Sequence, residues 1–575
     1  MKAAKNAHSK IAQKEITKRL IKSLMNEREH SENGDAQYKT NHKQIQIFEI
    51  KKTNTFLIIF QGKHNKQSVI EVDENGNFRP VEFRSFLHHI FDLWNVPDDK
   101  RKKVLHEVSN SYQNMKTAFE WEEKNLPFLL SEIDNIINCS SFSEIDKALR
   151  ASEAIPFTGH PLHVCTKTKF GLSKNEIYEY CPEFFPKVEL PLLSVKKEYI
   201  KEYGNDALWM SHLKSTTLLH FNDDETVFPV HPWHLKNMIF PSLNKEFKEG
   251  IIRLNEEKIV AYPTLSFRTH ALQINAEERT GLHVKLPVAI QATSVFRLLS
   301  ERDIYNGIIF SENLSIYSKQ LESVSLGKGI IVNDVYGSHL TEEVKKFRQG
   351  PLLSFTLREN PSLYASDSEK LVVASSLTHA TAYIEKSLLI KFQEKSGLGA
   401  LDYLERLLYV ILYLPIEIFL KLGIALDTHG QNCLIRFNRN FIPNTMVYRD
   451  LGSIQMVKES CMVQYMSTNL TDPAKTILSY QDCIDEFFHS LYYNLIGHII
   501  DFSAEYYNMD VNLLWKMVKN ISLEIIETTE CAAADKIKFK DSVLKTTIPV
   551  KSLLRMRILD STVFSHIPNP LLNHG

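Results

Sequence analysis

Residues 409–426 form the longest apolar stretch of the chain, and they restrict its fold more than any other segment. Pro415, Glu417 and Lys421 interrupt the stretch, whereas a spanning helix needs about 20 nearly uncharged residues. The run therefore predicts a helix buried in a large core and no membrane insertion. The chain has 575 residues, 43% hydrophobic and 24% charged. At about 100–200 residues per domain, that length predicts two to four domains with ample core. The same fractions exclude disordered, collagen-like and coiled-coil chains. Lys and Arg number 68 against 69 Asp and Glu, a net charge of −1, which argues against a dedicated nucleic-acid binder.

The seven cysteines, at 139, 165, 181, 433, 461, 483 and 531, are dispersed and never form CxxC. That pattern predicts a reducing compartment rather than a disulfide framework or cysteine zinc site. The basic N-terminal segment lacks the apolar core of a secretory signal, so the expected location is cytoplasmic. Ile16, Leu20 and Leu24 recur at helical spacing, predicting an amphipathic, partly frayed helix. A strand hairpin is expected over 45–72 with its turn at Lys51–Asn54, then helices over 83–94 and 101–122. Prolines gather from 156 to 191 and short β-like runs follow; helices dominate again from about 396. The resulting division is 1–150, 151–395 and 396–575.

Chemistry concentrates in three segments. The first holds His160-Pro-Leu-His163 with Lys167 and Lys169 beyond it, and a second His-Pro-x-His stands at 231–234. Four imidazoles suggest zinc, but proline after each first histidine opposes a helix presenting both rings. The second pair reads as a structural turn. The first, with its lysines, reads as an anion-binding edge.

In the second segment, Thr264, Ser266, Arg268 and His270 alternate, which predicts one strand face. Folding it against residues 282–286 pairs Arg268 with Lys285 and His270 with His283. Like charges held opposite one another point to a polyanion between them. A helix is expected over 289–301, with Thr293, Ser294 and Arg297 along one side and Arg297 offering a planar fork to carboxylate or phosphate. In the third segment, Asp427-Thr-His-Gly-Gln-Asn432 leads into a hairpin ending at Arg449-Asp450. The spacing predicts Asn432 opposite Asp450, a hard-oxygen pair suited to Mg²⁺ on nucleotide phosphates, as in kinases. His429 and Arg449 would add charge around the phosphates.

The ordered set Gly159-His-Pro-x-His163 with Lys167 and Gly171, Tyr180-x-Pro-Glu183, His231-Pro-Trp233, Ser266-x-Arg-Thr269, Thr293-Ser-x-x-Arg297, His429-Gly-Gln-Asn432 and Arg449-Asp450 resembles the NRPS-independent siderophore synthetases of the aerobactin synthetase (IucA/IucC) type. The resemblance implies an α+β, cupped-hand architecture: a helical thumb over 1–150, fingers over 151–395, and a palm with a kinase-like metal-binding hairpin over 396–575. It implies an ATP-dependent ligase that adenylates citrate, or a citryl-amide, and passes the acyl group to an amine. A homodimer is implied as well. By matching motifs, His163, Lys167, Ser266, Arg268, Thr269, Lys285, Gln431, Asn432 and Asp450 would hold ATP. Thr293, Ser294, Arg297 and His429 would hold citrate, and Asn432 and Asp450 would hold Mg²⁺. Arg268, Lys285, Arg297 and His429 would carry catalysis.

The chain departs from the pattern at Val164, Lys169, His234 and Asp427. Lys169 keeps its charge but loses a bidentate fork. Two other readings stay open from the residues alone: a kinase-like phosphotransferase on a small polyacid, and a non-catalytic protein binding a polyacid or a metal chelate.

Overall fold

The structure is a computed structural model describing residues 2–27, 45–50, 55–61, 67–72, 78–293, 295–341, 346–347, 350–466 and 469–572. The helix Lys2–Asn26 buries Ile16, Leu20 and Leu24, the stripe expected from i, i+4 spacing. It packs on the helices Phe83–Leu93 and Asp98–Lys124. An antiparallel sheet of Ile45–Ile50, Thr55–Gln61, Gln67–Val72 and Phe78–Pro80 completes this layer, its strands in chain order. The turn expected at Lys51–Asn54 lies outside the described residues. Leu554 and Ile558, from the helix Leu553–Leu559 far along the chain, join the same core. Glu27 fixes that junction by accepting from the N–H groups of Leu554 (3.1 Å) and Arg555 (2.8 Å).

The middle of the chain builds an eight-stranded sheet. Its order is Ile200–Gly204, Asp334–Leu340, Ser354–Glu359, Leu282–Lys285, Thr269–Leu272, Ile252–Pro263, Val188–Lys196, Glu225–Pro229. A second core, containing Leu190, Leu193, Phe228, Ile259, Val284 and Phe355, covers one face.

The run 409–426 lies mostly within the helix Ala400–Leu422, in the largest core. Leu407, Leu408, Ile411, Leu414 and Ile418 are fully buried there. Glu417 survives in that apolar run because its carboxylate is completely partnered. It accepts from the N–H groups of Glu322 (2.7 Å) and Ser323 (2.9 Å), capping a short helix, and pairs with Lys421 at 2.9 Å. A buried carboxylate without such partners would be strongly destabilising. Among the described residues no helix is long and apolar enough to cross a membrane.

Candidate functional site

The hairpin Cys433–Phe437 and Pro443–Tyr448 pairs Cys433 with Tyr448 and is irregular between Arg436 and Phe437. Phe437 pairs with Pro443, which centres the hairpin on 440, and the bulge moves the register by one from there, so Asn432 meets Arg449, whose N–H donates to the Asn432 carbonyl at 3.0 Å. Asn432 is therefore not opposite Asp450, as the spacing had predicted. Asp450 follows in the left-handed region, at φ 86°. One of its carboxylate oxygens accepts from Lys285 Nζ at 2.7 Å and Arg358 Nη2 at 2.8 Å. Burial alone would raise its pKa, but the two cations outweigh burial and hold it well below the usual carboxylate range.

The alternation over 264–270 does not form a strand. Residues 264–268 make a tight turn in which Phe267 takes φ 69° and the Thr269 N–H donates to Ser266 Oγ at 3.1 Å. The following strand pairs Thr269, not Arg268, with Lys285, and Ala271 with His283. Arg268 is instead half-buried beside the turn, donating to the Leu298 carbonyl.

The helix expected over 289–301 is also absent. Val288–Ala292 and Val295–Arg297 are paired strands, and Gln291 and Ala292 pair further with Phe170 and Lys169. Thr293 turns the chain at φ 61°, and Arg297 Nη2 reaches its Oγ1 at 3.4 Å. Thr293 and Arg297 thus meet across a hairpin instead of along a helix. Ser294 lies outside the described residues.

These segments wall a cavity of about 850 Å³. Lys167, Ser266, Arg268, Thr269, Lys285, Thr293, Arg297, His429, Gln431 and Asp450 line it. His163 and Asn432 do not. His163 is buried behind the wall, its Nδ1 accepting from the Cys165 N–H at 3.0 Å. Burial, aided by Arg557 and Arg297, pushes His163 down to about 3. Asn432 is buried with its amide donating to the Asp427 carbonyl at 3.1 Å.

Arg449 serves the frame rather than adding charge around a phosphate. It pairs with buried Glu153 at 2.6 Å, and Glu153 in turn accepts from the Leu265 N–H at 2.9 Å. Lys167 is paired with Glu183 at 2.8 Å, and Lys169 Nζ lies 4.9 Å from the centre of the Phe267 ring. His429 stands 3.5 Å from Asp427. The second His-Pro-x-His is structural: His231 Nδ1 accepts from the Trp233 N–H, and His234 bonds the Leu352 carbonyl at 2.7 Å.

Among the described residues Arg297 has no carboxylate in salt-bridge contact, and its buried Nε has no hydrogen-bond partner. Burial, reinforced by Arg268, lowers it to about 10. Two mutually repelling guanidinium groups facing a cavity form a receptor for a polyanion, because Asp450 nearby offsets their desolvation only in part.

Sequence reasoning missed Arg358, which bridges Asp334 (2.7 Å) and Asp450; only the register of three strands reveals it. The N-terminal helix was expected, but not that it and the helix Gly497–Tyr507 line the cavity.

Residues 148–379 match the profile of the IucA / IucC family. Residues 401–562 match the Ferric iron reductase FhuF-like transporter profile. Over residues 148–379 the chain is similar to the IucA/IucC family. It is 25% identical over 499 residues to the staphyloferrin A synthase of Staphylococcus aureus, covering 82% of each chain. The D-ornithine–citrate ligase of the same organism is 25% identical, over 84% of this chain and 77% of the relative. Among solved structures, ATP-bound aerobactin synthetase IucA from Klebsiella pneumoniae superposes with a TM-score of 0.79 at 17% identity, covering 97% of this chain and all of that one. The petrobactin biosynthesis protein AsbB from Bacillus anthracis also gives 0.79, at 16% identity over 98% and 96%. These structural likenesses establish the shared α/β fold. Within 401–562, no three His, Cys, Asp or Glu among the described residues converge as metal ligands.

Proposed function

We propose that the chain is an ATP-dependent ligase that adenylates a carboxylate of citrate and condenses it with an amine, releasing pyrophosphate and then AMP. The observation that carries this reading is the pair Arg268 and Arg297, half-buried at the cavity wall and, among the described residues, without a carboxylate in salt-bridge contact. Relatives named staphyloferrin A synthase, D-ornithine–citrate ligase and aerobactin synthase support citrate and an amine as substrates. The ATP-bound IucA structure supports ATP.

In this mechanism a citrate carboxylate oxygen attacks the α-phosphorus of ATP and the bond to the β-phosphate oxygen breaks. Arg268, Arg297 and Lys285 offset the repulsion between the two polyanions, a preorganised field of the kind that dominates such catalysis. Ser266 and Thr269 present hydroxyls to the phosphates, while Thr293 and His429 hold citrate beside Arg297. The amine nitrogen then attacks the acyl carbon, the acyl–phosphate C–O bond breaks, AMP leaves, and the nitrogen gives up a proton. We assign no base.

Asp450 fits a magnesium ligand: its carboxylate is held ionised, and Lys285 and Arg358 share only one of its oxygens. Asn432 is the second candidate. Mg²⁺ binds through one or two protein oxygens plus phosphates and would supply further charge neutralisation. His163 and Lys167 act from behind or beside the phosphate site, His163 through the loop it shapes. A homodimer and a cytoplasmic location complete the proposal.

The test is incubation of the protein with Mg·ATP, citrate and a panel of amines. AMP and pyrophosphate are expected in step with amide. Production of ADP without AMP would overturn the ligase.

A further inference from the structure

Glu153 belongs to none of the sequence motifs and does not line the cavity, yet two of the cavity's walls are tied to it. It lies at the end of the helix Phe142–Ala154 and is 1% exposed. Its Oε2 accepts from the N–H of Leu265 at 2.9 Å, in the turn that carries Ser266, Arg268 and Thr269. Its Oε1 lies 2.6 Å from Arg449 Nη1. Arg449 extends that contact to the opposite segment. Its Nε and Nη2 both donate to the Gln431 carbonyl, at 3.3 and 2.9 Å, and its own N–H donates to the Asn432 carbonyl. Asp450 follows directly in the chain.

One rigid carboxylate therefore spans two segments, one oxygen to each. Glu153 Oε1 and Arg449 Nη1 have no hydrogen-bond partner besides their ion pair, so each charge depends on the other. Removing one partner of such a buried pair is costly. An apolar side chain at 153 could fill the space, but it would leave the Leu265 N–H without this acceptor. The turn at 264–269 cannot slide against the loop at 429–432 without breaking one of the two contacts. Glu417 provides the contrast. It is equally buried and has as many partners, two N–H groups and Lys421, but it does not line the cavity and none of its partners does. Its carboxylate holds a helix end and nothing else.

We propose that Glu153 is a positioning residue for the adenylation step, setting the separation between the turn that presents Ser266, Arg268 and Thr269 and the loop and strand end that present Gln431 and Asp450. The inference rests on the ligase reading above and adds to it a residue that touches neither substrate. Glu153 acts directly on the turn, through the Leu265 N–H, and on the loop through Arg449. A nucleotide held from both segments at once needs both in register. Displacing one by about 1 Å costs on the order of 10²-fold in rate.

The test follows citrate-dependent exchange of pyrophosphate into ATP, with Mg·ATP and the full chain, in Glu153→Gln, Glu153→Asp and the control Glu417→Gln. The glutamine offers one acceptor oxygen where two are used. The aspartate keeps the charge but is one methylene too short to reach both contacts. Each Glu153 variant is expected to lower kcat per folded molecule by about 10²-fold. The KM for Mg·ATP should rise about tenfold, the scale of one lost hydrogen bond, while the KM for citrate stays unchanged. Glu417→Gln is expected to lose stability in urea with both constants of the folded fraction unaltered, as a merely structural carboxylate would. Wild-type kcat and KM for Mg·ATP in either folded Glu153 variant, or an equal kcat loss in Glu417→Gln, overturns the assignment. Should Glu153→Gln not fold, Glu153→Asp decides; if neither folds, the residue is structural and the proposal falls. Absence of exchange in the wild type sinks the ligase reading instead. Calorimetric affinity for Mg·ATP then settles the positioning role, a tenfold weakening in Glu153→Asp supporting it and an unchanged affinity overturning it.

Discussion

Arg358, which is buried, and Arg297, which is half-buried, both stand near Asp450, yet in opposite electrostatic conditions. Arg358 bridges Asp334 at 2.7 Å and Asp450 at 2.8 Å. Burial opposes its charge, but the two carboxylates raise its pKa further still. Arg297 has a threonine hydroxyl at 3.4 Å and a neighbouring guanidinium, and burial with that repulsion lowers it to about 10. One arginine is a strut whose charge the protein has already neutralised. The other is held with its charge unspent, which is how a site for an incoming anion differs from the frame around it.

Breaking the strut has the largest expected effect. Arg358→Met leaves Asp334 and Asp450 without the cation that bridges them, and removing one partner of a buried ion pair costs about 3–5 kcal/mol. Urea unfolding should show that loss, and activity should fall with it. A stability within about 1 kcal/mol of wild type would show that the bridge is not structural.

The receptor should behave the other way. Arg297→Ala removes a half-buried, only partly compensated charge, so its unfolding midpoint is expected to equal or exceed that of wild type. Citrate-dependent turnover should drop by about 10²–10³, the scale of one lost electrostatic donor. Thermal stabilisation by citrate, which follows mass action, should disappear in the same variant. A variant both unstable and fully active would reverse the assignment.

The same contrast separates what the sequence made legible from what it did not. The buried helix was readable from 409–426 because burial follows apolar content, although the partners that let Glu417 fit, the N–H groups of Glu322 and Ser323, are remote in sequence. The chemistry of Arg268, Lys285 and Arg297 was readable from residue type; their local structure was not. Phe267 and Thr293 adopt positive φ, and no alternation pattern signals such turns in non-glycine residues. The strand at 288–292 is fixed partly by Phe170 and Lys169, more than a hundred residues away, a tertiary choice that overrides local propensity. Phe437 pairs with Pro443, which centres the hairpin on 440 instead of 441, and the bulge recovers only one of the two residues of that offset, leaving a register error of one. Arg358 and the cavity-lining side chains at 15–22 and 494–505 carry no motif. On a single helix such charges look like a solvated face, and their place in the cavity wall emerges only when the two helices meet.

His163 gives the smallest and most selective way to sharpen the contrast, because it is buried next to the unspent charge. Burial lowers it to about 3, and Arg557 and Arg297 press it further in that direction. The group is thus neutral in the folded chain and near its ordinary value of about 6.5 when unfolded. Its folded pKa is depressed, so the unfolded state takes up the proton first. Stability is fully present above pH ~6.5 and is lost as pH falls from there toward 3, by up to about 1.4 kcal/mol per pH unit for each such histidine. Asp450 acts in a separate, more acidic window, since its depressed carboxyl loses its contribution only below the unfolded value of about 3.9. Between pH 6.5 and 5 the buried Glu27 and Glu122, raised to about 7, contribute with the opposite sign, so the histidine share is read from the difference between variant and wild type. His163→Asn should remove about one histidine's share of that slope, and an unchanged slope would place His163 outside the buried neutral set. In the Arg297→Ala background the folded His163 titrates nearer its ordinary value, so the acid loss levels off at a higher pH. That shift tests directly whether the charge at Arg297 is as unscreened as its lack of partners implies.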